Sequence, residues 1–354
     1  MITKTPLTFH GEGDSALLTG PDHLPVRAWP QKEQFAASRP SGAIARGIVV
    51  RHRRCSMSLD RLAPAIFVFL WSTGWVTAKY AVYYTGPLTF LCLRYLLAGL
   101  LLWAICRFSG ISWPKQRADV LRAILSGVFL HGIYLGMIWW AIGQGVPAAI
   151  GGIIAGLQPL MTAVAARFMI GERISPLQRA GLLLGFAGIA IAVLPKVMAT
   201  GALGMSVPLY AVAVNVLGMV SVTYGTLYQK KYVHGGNIMA VATLQYVGAL
   251  LVTVPFALLL EDGHVDWSLG LAATLGWSVG AISIGAVALL LYLIRRGQVS
   301  RAASLIYLVP PLAAVEAAVL FGETLTPAMI AGTVLAVTGV YLANRKPAAS
   351  VAVR

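Results

Sequence analysis

The feature that most constrains this chain is a duplicated stretch. Residues 156–193 read GLQPLMTAVAARFMIGERISPLQRAGLLLGFAGIAIAV, and residues 307–342 read YLVPPLAAVEAAVLFGETLTPAMIAGTVLAVTGVYL. An offset of 151 carries Pro159 to Pro310, Gly171 to Gly322, Glu172 to Glu323, Pro176 to Pro327, Gly181 to Gly332 and Gly188 to Gly339. A polar turn between two apolar runs is common by itself, but an ungapped coincidence of this many landmarks marks an internal repeat. With weaker identity, the same offset takes Lys79 to Lys230, Arg94 to Gln245 and Tyr95 to Tyr246.

The repeated units are apolar throughout. The 354 residues are 58% hydrophobic and 11% charged, against about a quarter charged in an average soluble domain. Mean hydropathy is +0.77. Runs of roughly 20 apolar residues are long enough to cross a bilayer as helices. Such spans are expected at 63–84, 88–107, 120–142, 147–168, 177–195, 207–230, 238–260, 269–294, 299–320 and 327–344. The expected fold is therefore all-α, a polytopic membrane protein of ten transmembrane helices in two five-helix repeats. Five is odd, so the second copy enters the membrane from the opposite side and the repeats are inverted. Inverted repeats are a common plan for secondary transporters, with the solute site near the midplane between the halves.

The net charge of +15 is distributed as an orientation signal. Arg107, Lys115, Arg117, Arg122, Arg167, Arg173, Arg179, Lys230, Lys231, Arg295, Arg296 and Arg301 lie in or beside alternate connections, and Arg345, Lys346 and Arg354 follow the last span. The opposite connections hold Lys196, and one of them carries Glu261, Asp262 and Asp266. This bias places both termini in the cytoplasm of a cell-membrane protein. It accounts for the basic excess without nucleic acid, so the expected partners are a small-molecule solute and the lipid bilayer, with the chain a monomer or homodimer. Cys55, Cys92 and Cys106 form no C-x-x-C pair and have no histidine at ligand spacing, so no metal or cofactor is expected.

Residues 1–57 differ in kind, with several prolines, charges of both signs and no long apolar run. They are expected to be a disordered extension without a cleavable signal. A sharper expectation is that the functional chain begins at Met57 and that 1–56 is dispensable. The first repeat is expected over 58–196, the second over 207–346, and a cytoplasmic tail over 347–354.

Polar residues at membrane depth are the candidates for solute binding or coupling. Trp71, Trp75 and Lys79 follow at i, i+4 and i+8, which sets them on one helix face; a packing stripe reads the same way. Arg94 lies seven residues into the second span, as a solute contact or an interhelical tie. His131 and Tyr134 share a face of the third span, and Gln158 stands beside Pro159 in the fourth. The sixth span carries a small and polar stripe of Asn215, Gly218, Val222, Gly225 and Gln229, and the seventh carries Gln245. Glu316 is the membrane carboxylate of the ninth. An ionisable group at the bilayer centre costs about 2.5–3.5 kcal/mol on insertion scales, so it faces the interior or finds a partner. Glu316 is expected to neutralise Lys79 or Arg94, and Lys79 alternatively snorkels to the headgroups. Trp139 and Trp140 are expected at the interface. Glu172 and Glu323 are expected to cap the helices of the fifth and tenth spans. Pro159 and the Pro310–Pro311 pair are expected to kink their spans. Gly132/Gly136, Gly181/Gly185 and Gly276/Gly280 are expected to allow close helix packing. No nucleophile–base set, H-E-x-x-H or phosphate-binding loop appears, so neither an enzyme nor an ATP-driven pump is expected.

The segments LWSTGWVTAKY, RYLLAG and the twice-occurring P…G-E-x-x-x-P…G…G pattern resemble the EamA family of the drug/metabolite transporter superfamily, over about residues 60–345. The resemblance implies ten helices, a central cavity between inverted halves, cytoplasmic termini, and export or uptake of small metabolites, amino acids or drugs. Lys79 and Arg94 match residues often present in the first two helices of that family. Gln158 departs from it, since many members have glutamate before the fourth-helix proline, and Glu316 is not a family-wide position. The expected function is a secondary transporter, an exporter, of a small organic solute by alternating access, with proton coupling through Glu316. An uncoupled facilitator or exchanger is the nearest rival, and a non-transporting membrane receptor the rival from another class.

Overall fold

The computed structural model describes residues 49–170, 175–198, 207–234, 236–295 and 308–343. The expectations for residues 1–48, for Glu172 in its hinge, and for the start of the ninth span lie outside the described residues. The chain divides into two compact units, Met1–His52 and Arg53–Arg354, and the second unit holds both repeats.

Among the described residues, every named element is a helix. The first half comprises α1 (Val49–Ala81), α2 (Pro87–Phe108), α3 (Arg117–Gly127) continued by a π-helical segment (Val128–Ile133) into α4 (Tyr134–Gly143), α5 (Ala148–Ala155), α6 (Leu157–Ile170) and α7 (Pro176–Met198). The second half comprises α8 (Leu209–Tyr232), α9 (Ile238–Leu260), α10 (Leu269–Gly276) continued by a π-helical segment (Trp277–Ala286) into α11 (Val287–Arg295), α12 (Val309–Phe321) and α13 (Pro327–Ala343). Among the described residues, eight helical stretches are long and apolar enough to cross a membrane, and α12 and α13 are shorter apolar helices.

Local chemistry sets the helix ends. Asn237 and Ser268 cap α9 and α10 by accepting from Met239 N and Leu271 N. Ser175 and Gln178 form a reciprocal capping box at the start of α7, which satisfies two orphan donors together. Thr326 caps α13 from the position equivalent to Ser175. The αL Gly322 (φ 64°) ends α12, a conformation with no Cβ penalty for glycine. Pro159 cannot bond Ala155 C=O and its ring crowds that carbonyl; accordingly the fourth span breaks at Gly156, between α5 and α6. Pro310 and Pro311 instead occupy the first turn of α12, where missing donors cost little, so they kink no described helix.

Contacts between the halves repeat under the 151 offset. A Cβ on Gly181 would strike Gly339 and Ala343, and one on Gly332 would strike Gly188 and Ala192, which are the equivalent residues. Likewise Gly188 meets Ala336 while Gly339 meets Gly185. Position 181 thus faces 343 and position 188 faces 336, so α7 and α13 run antiparallel with backbones in contact, as inverted repeats require. Tyr95 and Tyr246 are each other's equivalents, and they stack at 5.7 Å with a 24° interplanar angle. The offset also carries 128–133 onto 279–284, inside the second π-helical segment. The expected Gly276/Gly280 packing does not occur, since neither has a neighbour within 4 Å of its Cβ position. On the outside, Leu96, Leu97, Leu100, Leu101 and Trp103 of α2 are exposed, the apolar surface that lipid covers.

Candidate functional site

Between the halves lies a cavity of about 40 Å³. Trp71 and Trp75 of α1, Tyr134 of α4, Gln158 and Pro159 of α6, Val309 and Pro310 of α12, and Thr333 and Ala336 of α13 line it. The equivalent prolines of the two repeats therefore face one space. At about 10–15 Å³ for one water, the cavity holds no more than a few waters, far below the roughly 300 Å³ of a small-molecule pocket. Among the described residues, the space at the centre is small in this conformation.

Two of the expected polar residues lie beside the cavity rather than in its lining. Glu316 Oε1 is 2.6 Å from Ser72 Oγ, on the helix that carries Trp71 and Trp75. Ser72 Oγ is also 2.9 Å from Phe69 O. Glu316 pairs with neither Lys79 nor Arg94, contrary to expectation; Ser72, its partner, had no distinguishing sequence signal. Asn215 is fully buried and approaches Trp75 across Gly151. A Cβ on Gly151 would stand 3.1 Å from Trp75 Cδ1 and 3.5 Å from both Trp75 Nε1 and Asn215 Nδ2. The lack of a side chain at 151 is what lets Trp75 of α1 and Asn215 of α8 both come close to the α5 backbone.

Lys79 makes an ion pair instead of snorkelling. Its Nζ is 2.6 Å from Glu323 Oε1 and 4.8 Å from the Phe321 ring centroid. The same carboxylate accepts from Ala148 N at 3.1 Å and Ala149 N at 3.0 Å. Glu323 therefore caps α5, the fourth span, and not α13, which Thr326 already caps. A carboxylate four residues from its own helix start would bend back poorly, whereas the α5 N-terminus offers orphan donors and the positive end of a dipole. Glu261, in sequence no more than one acid of an acidic connection, likewise accepts from Leu88 N, Thr89 N and Thr89 Oγ1 at the start of α2.

The remaining candidates form a separate buried group. Arg94 donates from Nε to Ser283 Oγ at 3.1 Å, and Ser283 donates to Ser278 O at 3.0 Å. The Arg94 guanidinium carbon lies 5.7 Å from the Trp139 ring. Trp139 is buried and stacks on Phe90 at 5.4 Å, so it is not an interfacial anchor. Gln245 donates from Nε2 to Ser126 Oγ at 3.0 Å and to Gln229 Oε1 at 3.3 Å. The His131 carbonyl accepts from Tyr95 OH at 2.9 Å, and its ring lies 5.2 Å from that of Tyr246. A π-helical segment, with more residues per turn than an α-helix, ends between His131 and Tyr134. Tyr134 lies on the cavity and His131 in the aromatic stack. In the sixth-span stripe Asn215, Gly218, Val222 and Gly225 are buried and Gln229 is half-buried; Gly218 lies against Tyr134 O and Gly225 against Phe129 and Leu130, and the ends Asn215 and Gln229 serve different groups.

Residues 62–194 and 209–345 each match the EamA-like transporter family. The chain is 28% identical over 300 residues to YvbV, an uncharacterized transporter of Bacillus subtilis, covering 80% of this chain and 91% of that protein. It is 26% identical over 293 residues to a "probable amino-acid metabolite efflux pump" of Salmonella typhimurium, covering 80% and 94%. It is also 26% identical over 285 residues to the uncharacterized inner membrane transporter YedA of Escherichia coli, covering 78% and 90%. A solved crystal structure superposes with a TM-score of 0.57 at 21% identity, over 80% of this chain and 97% of that one, a likeness of fold. With its duplicated helical halves meeting at paired prolines and both halves matching one family, this chain is an integral multi-pass membrane protein that belongs to the EamA-like transporter family.

Proposed function

We propose that the protein is a secondary transporter that exports a small organic solute through the cavity between Pro159 and Pro310, by alternating access of two inverted halves. The observation that carries this reading is that equivalent residues of both repeats line one small central space. Exchange of shapes between equivalent halves would open that space first to one side and then to the other. In the proposed orientation, with both termini cytoplasmic, the Lys79–Glu323 pair lies toward the outer face. It joins α1 to the N-terminus of α5 through the turn after α12, and so acts as an outer tie that breaks when the cavity opens outward. The aromatic walls Trp71, Trp75 and Tyr134 would take an apolar or aromatic body by stacking.

Proton coupling through Glu316 is part of the proposal. Ser72 has one hydroxyl proton and two acceptors in reach, Glu316 Oε1 and Phe69 O. When Glu316 is ionised, Ser72 donates to it. When Glu316 carries a proton, it donates to Ser72, which donates to Phe69 O. Both protonation states leave the short contact hydrogen-bonded, which suits a carboxylate that loads and releases a proton beside the solute path. The test is solute efflux from proteoliposomes with and without a pH gradient, using solutes selected by thermal-shift screening. The reading expects gradient-driven flux that Glu316→Gln uncouples. Gradient dependence unchanged in that variant would reject the coupling, and no flux of any stabilising solute would reject transport.

A further inference from the structure

Arg94 is 6% exposed and sits at membrane depth, yet the described residues supply it with a single hydrogen bond, from Nε to Ser283. A guanidinium carries five N–H donors and cannot shed its charge. Buried charges are ordinarily paired, yet no described carboxylate forms an ion pair with Arg94, and the Glu316 oxygen that Ser72 leaves free, Oε2, has no hydrogen-bond partner. Glu316 binds Ser72, Glu323 binds Lys79 and α5, and Glu261 binds the start of α2. Among the described residues, the ion pairs are Lys79–Glu323 and Arg122–Asp119.

The surroundings hold this guanidinium in one orientation. Ser283 accepts from Nε and donates its one hydroxyl proton to Ser278 O, which fixes the orientation of the hydroxyl. Trp139 stands toward the cationic plane, itself fixed by Phe90. The Nε edge and one side are thereby held, which leaves the two Nη groups as the available fork. The second repeat shows what a purely structural residue does at the equivalent position: Gln245 is neutral, and its amide is satisfied by Ser126 and Gln229. The first repeat alone places a charge there.

We propose that Arg94 seats the carboxylate of the transported solute, so that the cargo is a small organic anion with an apolar or aromatic body. A carboxylate matches the planar fork with two parallel hydrogen bonds and supplies the counter-charge, while Trp139 offers the adjacent aromatic surface. The inference rests on the transport reading and narrows its solute class, and it places the anion at the Arg94 group, apart from the residues that line the central cavity in this conformation.

The test is equilibrium binding to the full chain in nanodiscs, in a low-salt buffer free of carboxylate anions, with benzoate and phenylacetate against benzamide and phenylacetamide, followed by thermal shift and titration. The carboxylates are expected to bind saturably and the amides at least tenfold more weakly. Arg94→Gln is expected to lose at least tenfold in carboxylate affinity, Arg94→Lys to retain part of it, and Ser283→Ala to weaken it severalfold with the amide response unchanged. Ser283→Ala keeps the test decisive if Arg94→Gln does not fold. Equal binding of acids and amides, carboxylate affinity that survives in Arg94→Gln, or no carboxylate response at all would overturn the proposal. A response reproduced by chloride would do the same, reducing the site to an inorganic counter-ion site. Because binding is read without flux, failure here leaves the transport reading to its own assay.

Discussion

The Lys79–Glu323 tie yields the prediction with the clearest arithmetic. Glu323 accepts from Lys79 Nζ, Ala148 N and Ala149 N, so Glu323→Ala removes three interactions and orphans two amides at the start of α5. Unpaired buried donors cost about 1–3 kcal/mol each, and removing one partner of a buried pair costs about 3–5 kcal/mol. The two figures describe overlapping losses, so we expect a total of about 3–5 kcal/mol. At about 1.3 °C per kcal/mol for a chain of this size, the melting temperature should fall by roughly 4–7 °C. Glu323→Gln keeps an acceptor for one amide and should cost less. The Lys79 side chain is 28% exposed and that of Glu323 7%, so solvent screens the charge term in part. A double-mutant cycle of Lys79→Met and Glu323→Gln should give a coupling of about 1–2 kcal/mol, between surface and buried pairs. Thermal unfolding in detergent micelles reads all four proteins. Additive single variants, or Glu323→Ala no worse than Lys79→Met, would refute the reasoning.

Other substitutions separate packing from function. Gly188→Ala places a Cβ on the backbone of Ala336, and overpacking of this kind costs about 1–3 kcal/mol; Gly276→Ala, with open space around it, should be neutral or stabilising in the same melts. Glu261→Ala strips the cap from α2 and should cost about 1–2 kcal/mol, with Glu261→Gln intermediate. Glu316→Gln preserves the contact to Ser72, so it should fold with an unchanged melting temperature while efflux in proteoliposomes no longer responds to a pH gradient.

The repeat was legible because backbone-on-backbone packing admits only small residues: Gly181, Gly188, Gly332 and Gly339 recur in sequence because each helix presses on the other's main chain. The apolar spans and paired prolines were legible for similar local reasons. Partner choice was not. Glu316 meets Ser72, and Glu323 meets Lys79 and the start of α5, through contacts between residues some 170 to 240 positions apart. Depth alone ranked the charges, and three charges in the same half of the membrane gave no way to match them. The π-helical segments escaped as well, since hydropathy at a period of about 3.6 residues is blind to a local change of pitch. The first of them ends between His131 and Tyr134. The 151 offset pairs Tyr95 with Tyr246, but equivalence under a repeat does not place two residues in contact, and their stack is a finding of the structure.

Alternating access can be tested without knowing the solute. Thr333 lines the central cavity and is 9% exposed. A single cysteine placed there by Thr333→Cys, in a chain with Cys55, Cys92 and Cys106 replaced by alanine, can be labelled with a membrane-impermeant maleimide. Right-side-out and inside-out vesicles present opposite faces to the reagent. Two-sided access predicts labelling from both faces, with the outer-face rate raised by Lys79→Met. Labelling from one face only, or from neither, would contradict the account.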